Sequence, residues 1–165
     1  MIEAWIDEDY IRNLPALFRK AERCIRISLF SVVPTGKNSK KSASLLLEHL
    51  ACPPKHGVEV LVLFNMIARG GYLRAQNLKA IATLRRHGIQ TRQLTGSRIN
   101  HAKLVLIDDS FAVAGSHNWT TCSLRRNHEV SMLTDDPATV SRLTAHFDHL
   151  WSGAVKLTAG AGDVP

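Results

Sequence analysis

Residues 101–118 read HAKLVLIDDSFAVAGSHN, which contains the spacing H-x-K-x4-D-x6-G-S-x-N without a gap. Two short apolar runs, 104–107 and 111–114, flank the turn-forming residues at 108–110. Apolar runs on both sides of such a turn predict the two strands of a β-hairpin. The hairpin would bring the end of the stretch, at 115–118, back beside its beginning.

The polar groups of this hairpin suit chemistry on a phosphodiester. His101 and Lys103 are two positions apart at the start of a strand, so both side chains leave the sheet on the same face. Ser116 and Asn118 follow the second strand and add a hydroxyl and a carboxamide. An imidazole, a fixed positive charge and two neutral donors match the non-bridging phosphate oxygens, whose negative charge needs more stabilisation in the transition state.

The same spacing resembles the HKD motif of the phospholipase D superfamily, and in particular its short single-motif, Nuc-like endonucleases, over residues 1 to about 151. The resemblance implies that His101 is the nucleophile and forms a covalent phosphohistidine. It also implies that Lys103 and Asn118 hold phosphate oxygens and that Ser116 is a supporting donor.

Two carboxylates receive indirect roles from this resemblance. The motif aspartate usually acts structurally, which makes Asp108 a weaker candidate for direct chemistry. A carboxylate thirteen residues past the motif serine commonly orients the histidine in Nuc-like members, and Glu129 occupies that position. The alternative for Glu129 is an ordinary surface carboxylate. Within and beside the motif, His117 is interpreted as loop or groove lining and Trp119 as a core residue.

The sequence contains a single H-x-K, whereas the implied reaction uses one histidine to attack and another to protonate the leaving group. A positioned general acid is typically worth about 10²- to 10⁴-fold in rate. A twofold homodimer supplies it, because an isologous interface can place two copies of His101 against each other. We therefore expect a homodimer with an inactive monomer.

Composition favours a polyanionic partner. The 165 residues are 45% hydrophobic, enough for one domain with a sizeable core, and carry a formal net charge of +7. Most of the cations are expected on solvated helix faces. The better candidates for contacts to a nucleic-acid backbone follow a strand end or the motif loop, and are Lys37, Lys40, Lys41, Arg125 and Arg126.

The remaining composition predicts a cytoplasmic protein without integral membrane contact. The amino-terminal residues lack a basic region followed by an apolar stretch, and the longest apolar run, about 60–64, is far shorter than a membrane span. The three cysteines, Cys24, Cys52 and Cys122, are too few and too widely spaced for a disulfide framework or a CxxC zinc site. We predict neither a metal nor a cofactor.

The whole chain alternates between strand and helix patterns. Strands are predicted at 2–6, 24–32, 58–65, 89–94 and 129–133 besides the hairpin, and helices at 10–23, 39–50, 73–87 and 137–151. This alternation predicts a single-domain α/β/α layered sandwich, with a mixed β-sheet flanked by helices as in phospholipase D-like proteins. The domain would cover 1–152, followed by a Gly- and Ala-rich tail at 153–165.

The leading functional expectation is a metal-independent phosphodiesterase. We expect a nuclease that cleaves DNA or RNA through a phosphohistidine at a homodimeric active site. One alternative is a phospholipid phosphodiesterase or phosphatidyl transferase, which shares the chemistry but should show an apolar docking surface. Another is a non-catalytic subunit that binds nucleic acid.

Overall fold

The computed structural model describes residues 1–34, 43–51, 57–65 and 71–156. The strands in these residues are β1 (Ile2–Ile6), β2 (Cys24–Leu29), β3 (Glu59–Phe64), β4 (Gln90–Gln93), β5 (Leu104–Ile107), β6 (Phe111–Gly115), β7 (Val130–Thr134) and β8 (Val155–Lys156). The helices are α1 (Asp9–Phe18), α2 (Ala43–Ala51), α3 (Tyr72–Arg86), α4 (Thr121–Arg125) and α5 (Pro137–Ser152).

The described strands form one mixed sheet in the order β1-β7-β6-β5-β2-β3-β4-β8. The strands β2, β3 and β4 are parallel, because the helices α2 and α3 connect them by crossing back over the sheet. From β2 outward through β5, β6, β7 and β1, every pairing is antiparallel. The predicted hairpin is therefore present as β5 and β6.

Apolar side chains cover both faces of this sheet. In β5, Val105 and Ile107 belong to the larger core, whereas Leu104 and Leu106 belong to a second core on the opposite face. The larger core contains buried residues of α1, α2 and α3, and the second contains Phe147 of α5. This arrangement confirms the predicted α/β/α sandwich with a mixed sheet.

The first helix is shorter than predicted. It ends at Phe18 instead of residue 23, and the chain then turns into β2. The reason is a non-local hydrogen-bond acceptor, because the carboxylate of Asp108 takes the backbone N–H groups of Glu22, Arg23 and Cys24 at 3.0, 2.9 and 2.8 Å. Because these N–H groups bond to Asp108, the backbone at residues 22–24 does not continue the helix.

The end of the second strand and one short helix also differ from the predictions. The second strand ends at Leu29 instead of residue 32, although Val32 still forms an isolated bridge with Trp119. The short helix α4 was not predicted; Thr120 caps it by accepting the N–H of Ser123 at 3.1 Å.

The last strand lies within the segment predicted as a tail. β8 pairs with β4, so the sheet extends to residue 156, beyond the predicted boundary at 152. Residues 157–165 of the predicted tail, and residues 39–42 of the helix predicted at 39–50, lie outside the described residues. Among the described helices, none combines the length and the apolar character that a bilayer crossing requires.

Candidate active site

The motif residues gather where β5 begins and β6 ends. These two strands are antiparallel partners, with Leu104 opposite Ala114, so the residues before β5 meet those after β6. The carboxyl ends of the parallel strands β2 and β3 reach the same edge, because Ser28 is opposite Leu104 and Phe64 follows beside Leu29. One edge of the sheet thus collects the candidate catalytic groups.

His101 and Lys103 are in direct contact. The exposed imidazole of His101 has Lys103 Nζ at 2.9 Å from Nδ1 and 3.1 Å from Nε2, and the ammonium also donates to the His101 carbonyl oxygen at 2.7 Å. Phe30 supports the pair, with its ring centroid 4.5 Å from that of His101 and 5.4 Å from Lys103 Nζ. The structure therefore brings these two predicted groups to one point.

The ammonium is buried while its partner is exposed. Lys103 is 7% exposed, and burial lowers the pKa of its ammonium, an effect that the charge of Glu129 partly opposes. A cation of this kind has few competing water molecules around it. An anionic group beside the adjacent imidazole would therefore feel its charge with little screening.

Asn100 holds the segment that carries His101, and sequence reasoning missed it. Its backbone N–H donates to Asn65 Oδ1 at 2.9 Å, its Nδ2 donates to Ser28 Oγ at 2.7 Å, and its Oδ1 accepts the N–H of Ala102 at 3.2 Å. These bonds fasten the residues on either side of His101 to the ends of β2 and β3. No periodic pattern marks Asn100, although its position next to the histidine is a signal that could have been used.

Gly115 and Ser116 join the motif loop to β7. A Cβ atom on Gly115 would lie 2.3 Å from both Ser131 Oγ and the Val130 carbonyl oxygen, so only glycine fits this close approach. The Ser116 N–H donates to the Val130 carbonyl at 3.0 Å, and Ser116 Oγ accepts the Val130 N–H at 3.1 Å. The predicted supporting serine is thus part of the connection to β7.

Asn118 and Glu129 are linked through Ser123 of α4. Ser123 Oγ accepts the backbone N–H of Asn118 at 2.8 Å and donates to Glu129 Oε1 at 2.8 Å, while Asn127 Nδ2 donates to the same oxygen at 3.1 Å. Asn118 Oδ1 is buried and has no hydrogen-bond partner among the described residues. The other end of the same amide, Nδ2, carries the N–H donors that phosphate binding requires.

Glu129 is held as an anion at this edge. Burial raises the pKa of its carboxyl group, but the hydroxyls of Ser116 and Ser123 and the amide of Asn127 outweigh that effect, and the net pKa is lowered. Within the described part of the chain, no hydrogen bond joins Glu129 to His101. Its role in orienting the histidine therefore stays a prediction.

Asp108 lies at the opposite end of β5. It follows the last residue of the strand, roughly 16 Å from Lys103 at the usual rise per residue. Its buried carboxylate accepts three backbone N–H groups, and its φ of 52° is the left-handed conformation that aspartate tolerates in turns. Burial raises its pKa, but those three bonds and nearby Arg23 lower it more. This placement agrees with a structural role.

The five basic residues predicted to contact nucleic acid differ in exposure and in whether the structure describes them. Arg126 is exposed, whereas Arg125 is half-buried and its guanidinium donates to Glu8 Oε2 at 2.7 Å. Contacts of these arginines to a nucleic-acid backbone stay predictions. The other three candidates, Lys37, Lys40 and Lys41, lie outside the described residues.

Two aromatic residues of the motif loop are buried. Trp119 is 0% exposed, which is the core position expected for it. His117 is also 0% exposed, so the expectation that it lines a loop or groove is wrong. The alternation of the loop turns residues 117 and 119 inward, away from the side on which Ser116 and Asn118 lie.

The fold and the site together define an α/β/α protein whose adjacent histidine and lysine have the spacing of the HKD motif. Residues 14–151 match the family model described as "Cardiolipin synthase, PLD-like domain". The chain therefore belongs to the phospholipase D-like family, as the motif spacing predicted.

Comparison with individual proteins gives the same family. The chain is 29% identical over 145 residues to the mitochondrial cardiolipin hydrolase of Xenopus tropicalis, which covers 88% of this chain and 62% of that protein. It is 32% identical over 77 residues to the human mitochondrial cardiolipin hydrolase, covering 47% of this chain and 31% of the human protein. The chain thus spans less than two thirds of the length of these curated relatives.

A solved structure shares the fold. The phospholipase D family member Nuc from Salmonella typhimurium superposes with a TM-score of 0.76 and 16% sequence identity, over 96% of this chain and 100% of Nuc. At this identity the likeness concerns the fold. It agrees with the Nuc-like architecture expected from the short chain.

Proposed function

We propose that this protein is a metal-independent nuclease that hydrolyses DNA or RNA phosphodiester bonds through a phosphohistidine. The observation that carries the proposal is the contact between the exposed imidazole of His101 and the buried ammonium of Lys103. The net charge of +7 favours nucleic acid among phosphodiester substrates. Arg98, which is exposed and lies three residues before His101 in the chain, adds positive charge to the same segment.

In the first step the substrate phosphate draws Lys103 Nζ from the imidazole towards a non-bridging oxygen. The freed lone pair of His101 attacks phosphorus, a P–N bond forms, and the bond from phosphorus to the leaving oxygen breaks. The His101 imidazolium of a second protomer gives its proton to that oxygen. Asn118 holds another phosphate oxygen.

In the second step the now neutral imidazole of the second protomer takes a proton from water. The resulting hydroxide attacks phosphorus and breaks the P–N bond, which releases a phosphate monoester and restores both histidines. Each protomer thus contributes one ring to a shared site. This requirement is the reason for proposing a homodimer, since the described chain supplies one H-x-K histidine.

Trapping the covalent intermediate tests this proposal. The protein is mixed with labelled oligonucleotide in excess EDTA, quenched, and analysed for acid-labile label on His101. We expect label on wild type and none on His101→Ala. Strict dependence on Mg²⁺, or label on another residue, would overturn the mechanism, and an active monomer in sedimentation at the assay concentration would overturn the dimer.

A second candidate, a phospholipid phosphodiesterase, is favoured by apolar groups near the site. Ile99, two residues before His101, is 66% exposed. Tyr72, at the start of α3, is also 66% exposed, and α3 begins at this edge because it follows β3. The relatives named cardiolipin hydrolase point the same way. A parallel trapping arm with labelled cardiolipin in vesicles decides between the substrates.

A third possibility is a non-catalytic subunit that binds nucleic acid. It predicts equal oligonucleotide affinity in wild type and His101→Ala, with no turnover or label in either. The contact between His101 and Lys103 favours an enzyme over this possibility, because simple phosphate binding does not require an exposed imidazole.

A further inference from the structure

The motif loop has two faces with different partners. Ser116 and Asn118 connect to β7 and α4 beside the candidate catalytic groups. Their alternate neighbours, His117 and Trp119, are fully buried and both contact Tyr10 of α1. The inward and outward residues alternate along one backbone, so contacts of the inward residues also constrain where the outward residues lie.

His117 uses both ring nitrogens inside the protein. Its Nε2 lies 2.9 Å from the Asp7 carbonyl oxygen and its Nδ1 lies 2.8 Å from Ser131 Oγ. A carbonyl only accepts, so Nε2 carries the proton, and the serine hydroxyl donates to Nδ1. A neutral ring with its proton on Nε2 therefore makes both hydrogen bonds. Replacing it by an apolar ring would leave two buried polar groups unpaired.

Tyr10 forms the platform under this histidine. The two rings are stacked at a centroid distance of 4.4 Å with 8° between their planes. The Tyr10 hydroxyl accepts the Nε1–H of Trp119 at 3.1 Å. One side chain of α1 therefore fixes two inward residues of the loop, one on either side of Asn118.

Asp7 extends the network to Glu129. The Asp7 N–H donates to the Glu129 carbonyl at 2.9 Å, and the Asp7 carboxylate accepts the Glu129 N–H at 2.8 Å. Its carbonyl oxygen accepts the Nε2–H of His117. Its φ of 50° is a left-handed conformation that these hydrogen bonds maintain. Asp7 thus connects the motif loop and the backbone of the candidate orienting carboxylate.

We propose that Asp7, Tyr10 and His117 are positioning residues that set Asn118 and Glu129 in the geometry that phosphoryl transfer requires. The inference rests on the proposed function and extends it to residues that do not touch the substrate. Misplacement of a catalytic group by about 1 Å can cost on the order of 100-fold in rate. A network that holds two catalytic groups by their backbones should therefore affect turnover more than substrate binding.

The test compares three variants with a matched core variant. His117→Phe keeps the stacking on Tyr10 but removes both hydrogen bonds, whereas His117→Gln retains an N–H donor that can reach the Asp7 carbonyl. Tyr10→Phe removes the acceptor of Trp119. Phe147→Leu, in the second core beneath α5, introduces a destabilising change in a fully buried residue away from this network.

Turnover is measured below the unfolding temperature of every variant. We expect kcat of His117→Phe to fall about 10- to 100-fold with KM nearly unchanged, and Tyr10→Phe to lose less. His117→Gln should recover part of the loss. Phe147→Leu should keep the kcat of wild type per folded molecule. A purely structural role would make His117→Phe and Phe147→Leu alike in kcat.

Amide hydrogen exchange tests the same inference without relying on turnover. The N–H groups of Asn118 and Val130 donate to Ser123 Oγ and Ser116 Oγ. Their exchange should accelerate about tenfold or more in His117→Phe and stay unchanged in Phe147→Leu. Unchanged exchange in His117→Phe would overturn the inference. If wild type cleaves neither nucleic acid nor phospholipid, the proposed function fails, while this measurement still decides whether the network holds the backbone at Asn118 and Val130 in place.

Discussion

The two ends of β5 carry residues of one motif but differ in exposure and in hydrogen bonding. At the amino end, an exposed imidazole lies against a buried ammonium and the neighbouring loop presents polar groups. At the carboxyl end, the buried carboxylate of Asp108 is saturated by three backbone N–H groups. The first end carries the groups that we propose bind and react with substrate, while the second holds secondary-structure elements together.

This contrast teaches that residues of a short motif need not form one site. A strand of four residues separates Lys103 from Asp108, so the motif aspartate lies too far away to touch a substrate bound at His101. Its contribution reaches the site through the fold, because Asp108 fixes where β2 begins and β2 is the antiparallel partner of β5. Substitutions at the amino end of β5 should therefore lower kcat, whereas substitution of Asp108 should lower the free energy of unfolding.

The largest effect is expected at the reactive end. His101→Asn removes the nucleophile and, in a dimer, the general acid as well, so kcat should fall by about 10⁴-fold or more. The free energy of unfolding should change little because the side chain is exposed. Initial rates and denaturant titrations measure the two quantities. His149→Asn on α5 is the control, and comparable activity in both variants would contradict the assignment.

Lys103→Met should have the next largest effect. The substitution keeps the buried stem but removes the charge that meets the developing negative charge on phosphate, so kcat should fall about 10²- to 10³-fold. Stability should be retained or should increase, because burial already disfavours this ammonium. Lys79→Met, at an exposed position of α3, controls for loss of one positive charge. A salt-dependent loss shared by both variants would indicate general electrostatics instead.

Asp108→Ala should lower stability and leave turnover nearly unchanged, the reverse of what is expected for His101→Asn and Lys103→Met. Three backbone N–H groups lose their acceptor, which should lower the free energy of unfolding by about 3 kcal/mol. Per folded molecule, kcat should stay near that of wild type. Chemical denaturation with parallel rate measurements checks both. Asp109→Ala is the matched control, since its ion pair with Arg23 is exposed and should contribute less than about 1 kcal/mol.

The depressed pKa of Asp108 also gives the pH dependence a definite sign. Its stabilising contribution is complete above the ordinary pKa of an aspartate and is lost as pH falls through the lower pKa of the folded state. The stability difference between wild type and Asp108→Ala should therefore shrink in acid below about pH 4. A difference that stays constant to low pH would mean that the carboxylate charge is not what holds the turn.

Glu129→Gln should have a smaller effect at the reactive end. The variant keeps an oxygen for Ser123 but loses the negative charge, so kcat should fall about 10-fold if the carboxylate orients an imidazole in the working site. A shift of the pH–rate profile should accompany the fall. Glu59→Gln on β3 is the control. An unchanged pH–rate profile would mean that the Glu129 side chain acts only through its hydrogen bonds to α4 and Asn127.

The sequence predicted what is local and missed what is distant along the chain. The hairpin and the contact between His101 and Lys103 follow from apolar runs, a turn and a spacing of two. The early end of α1 depends on Asp108, and a bond between residues 84 to 86 positions apart leaves no periodic signal. His117 is different, because extending the alternation of β6 through the loop would have turned it inward with Trp119.

The smallest expected effect concerns His117, the buried histidine of the motif loop. Burial lowers the pKa of His117 below the ordinary 6.5, although its bond to the Asp7 carbonyl and the charges of Glu129 and Asp7 partly oppose this. The unfolded imidazole binds its proton first as pH falls, so the stability that the neutral ring provides is complete above about pH 6.5 and is lost below it.

Wild type should therefore lose more unfolding free energy between pH 7 and pH 5 than His117→Phe does. The charged or titratable groups that face the ring are Asp7, Glu129 and Tyr10; both carboxyl pKa values are lowered and that of Tyr10 is raised, so none titrates in this interval. Denaturant titrations at the two pH values provide the measurement, with His149→Asn as the exposed-histidine control. Equal losses in wild type and His117→Phe would mean that His117 accepts a proton as easily as an exposed imidazole, and the division of the motif loop into a buried face and a reactive face would fail with it.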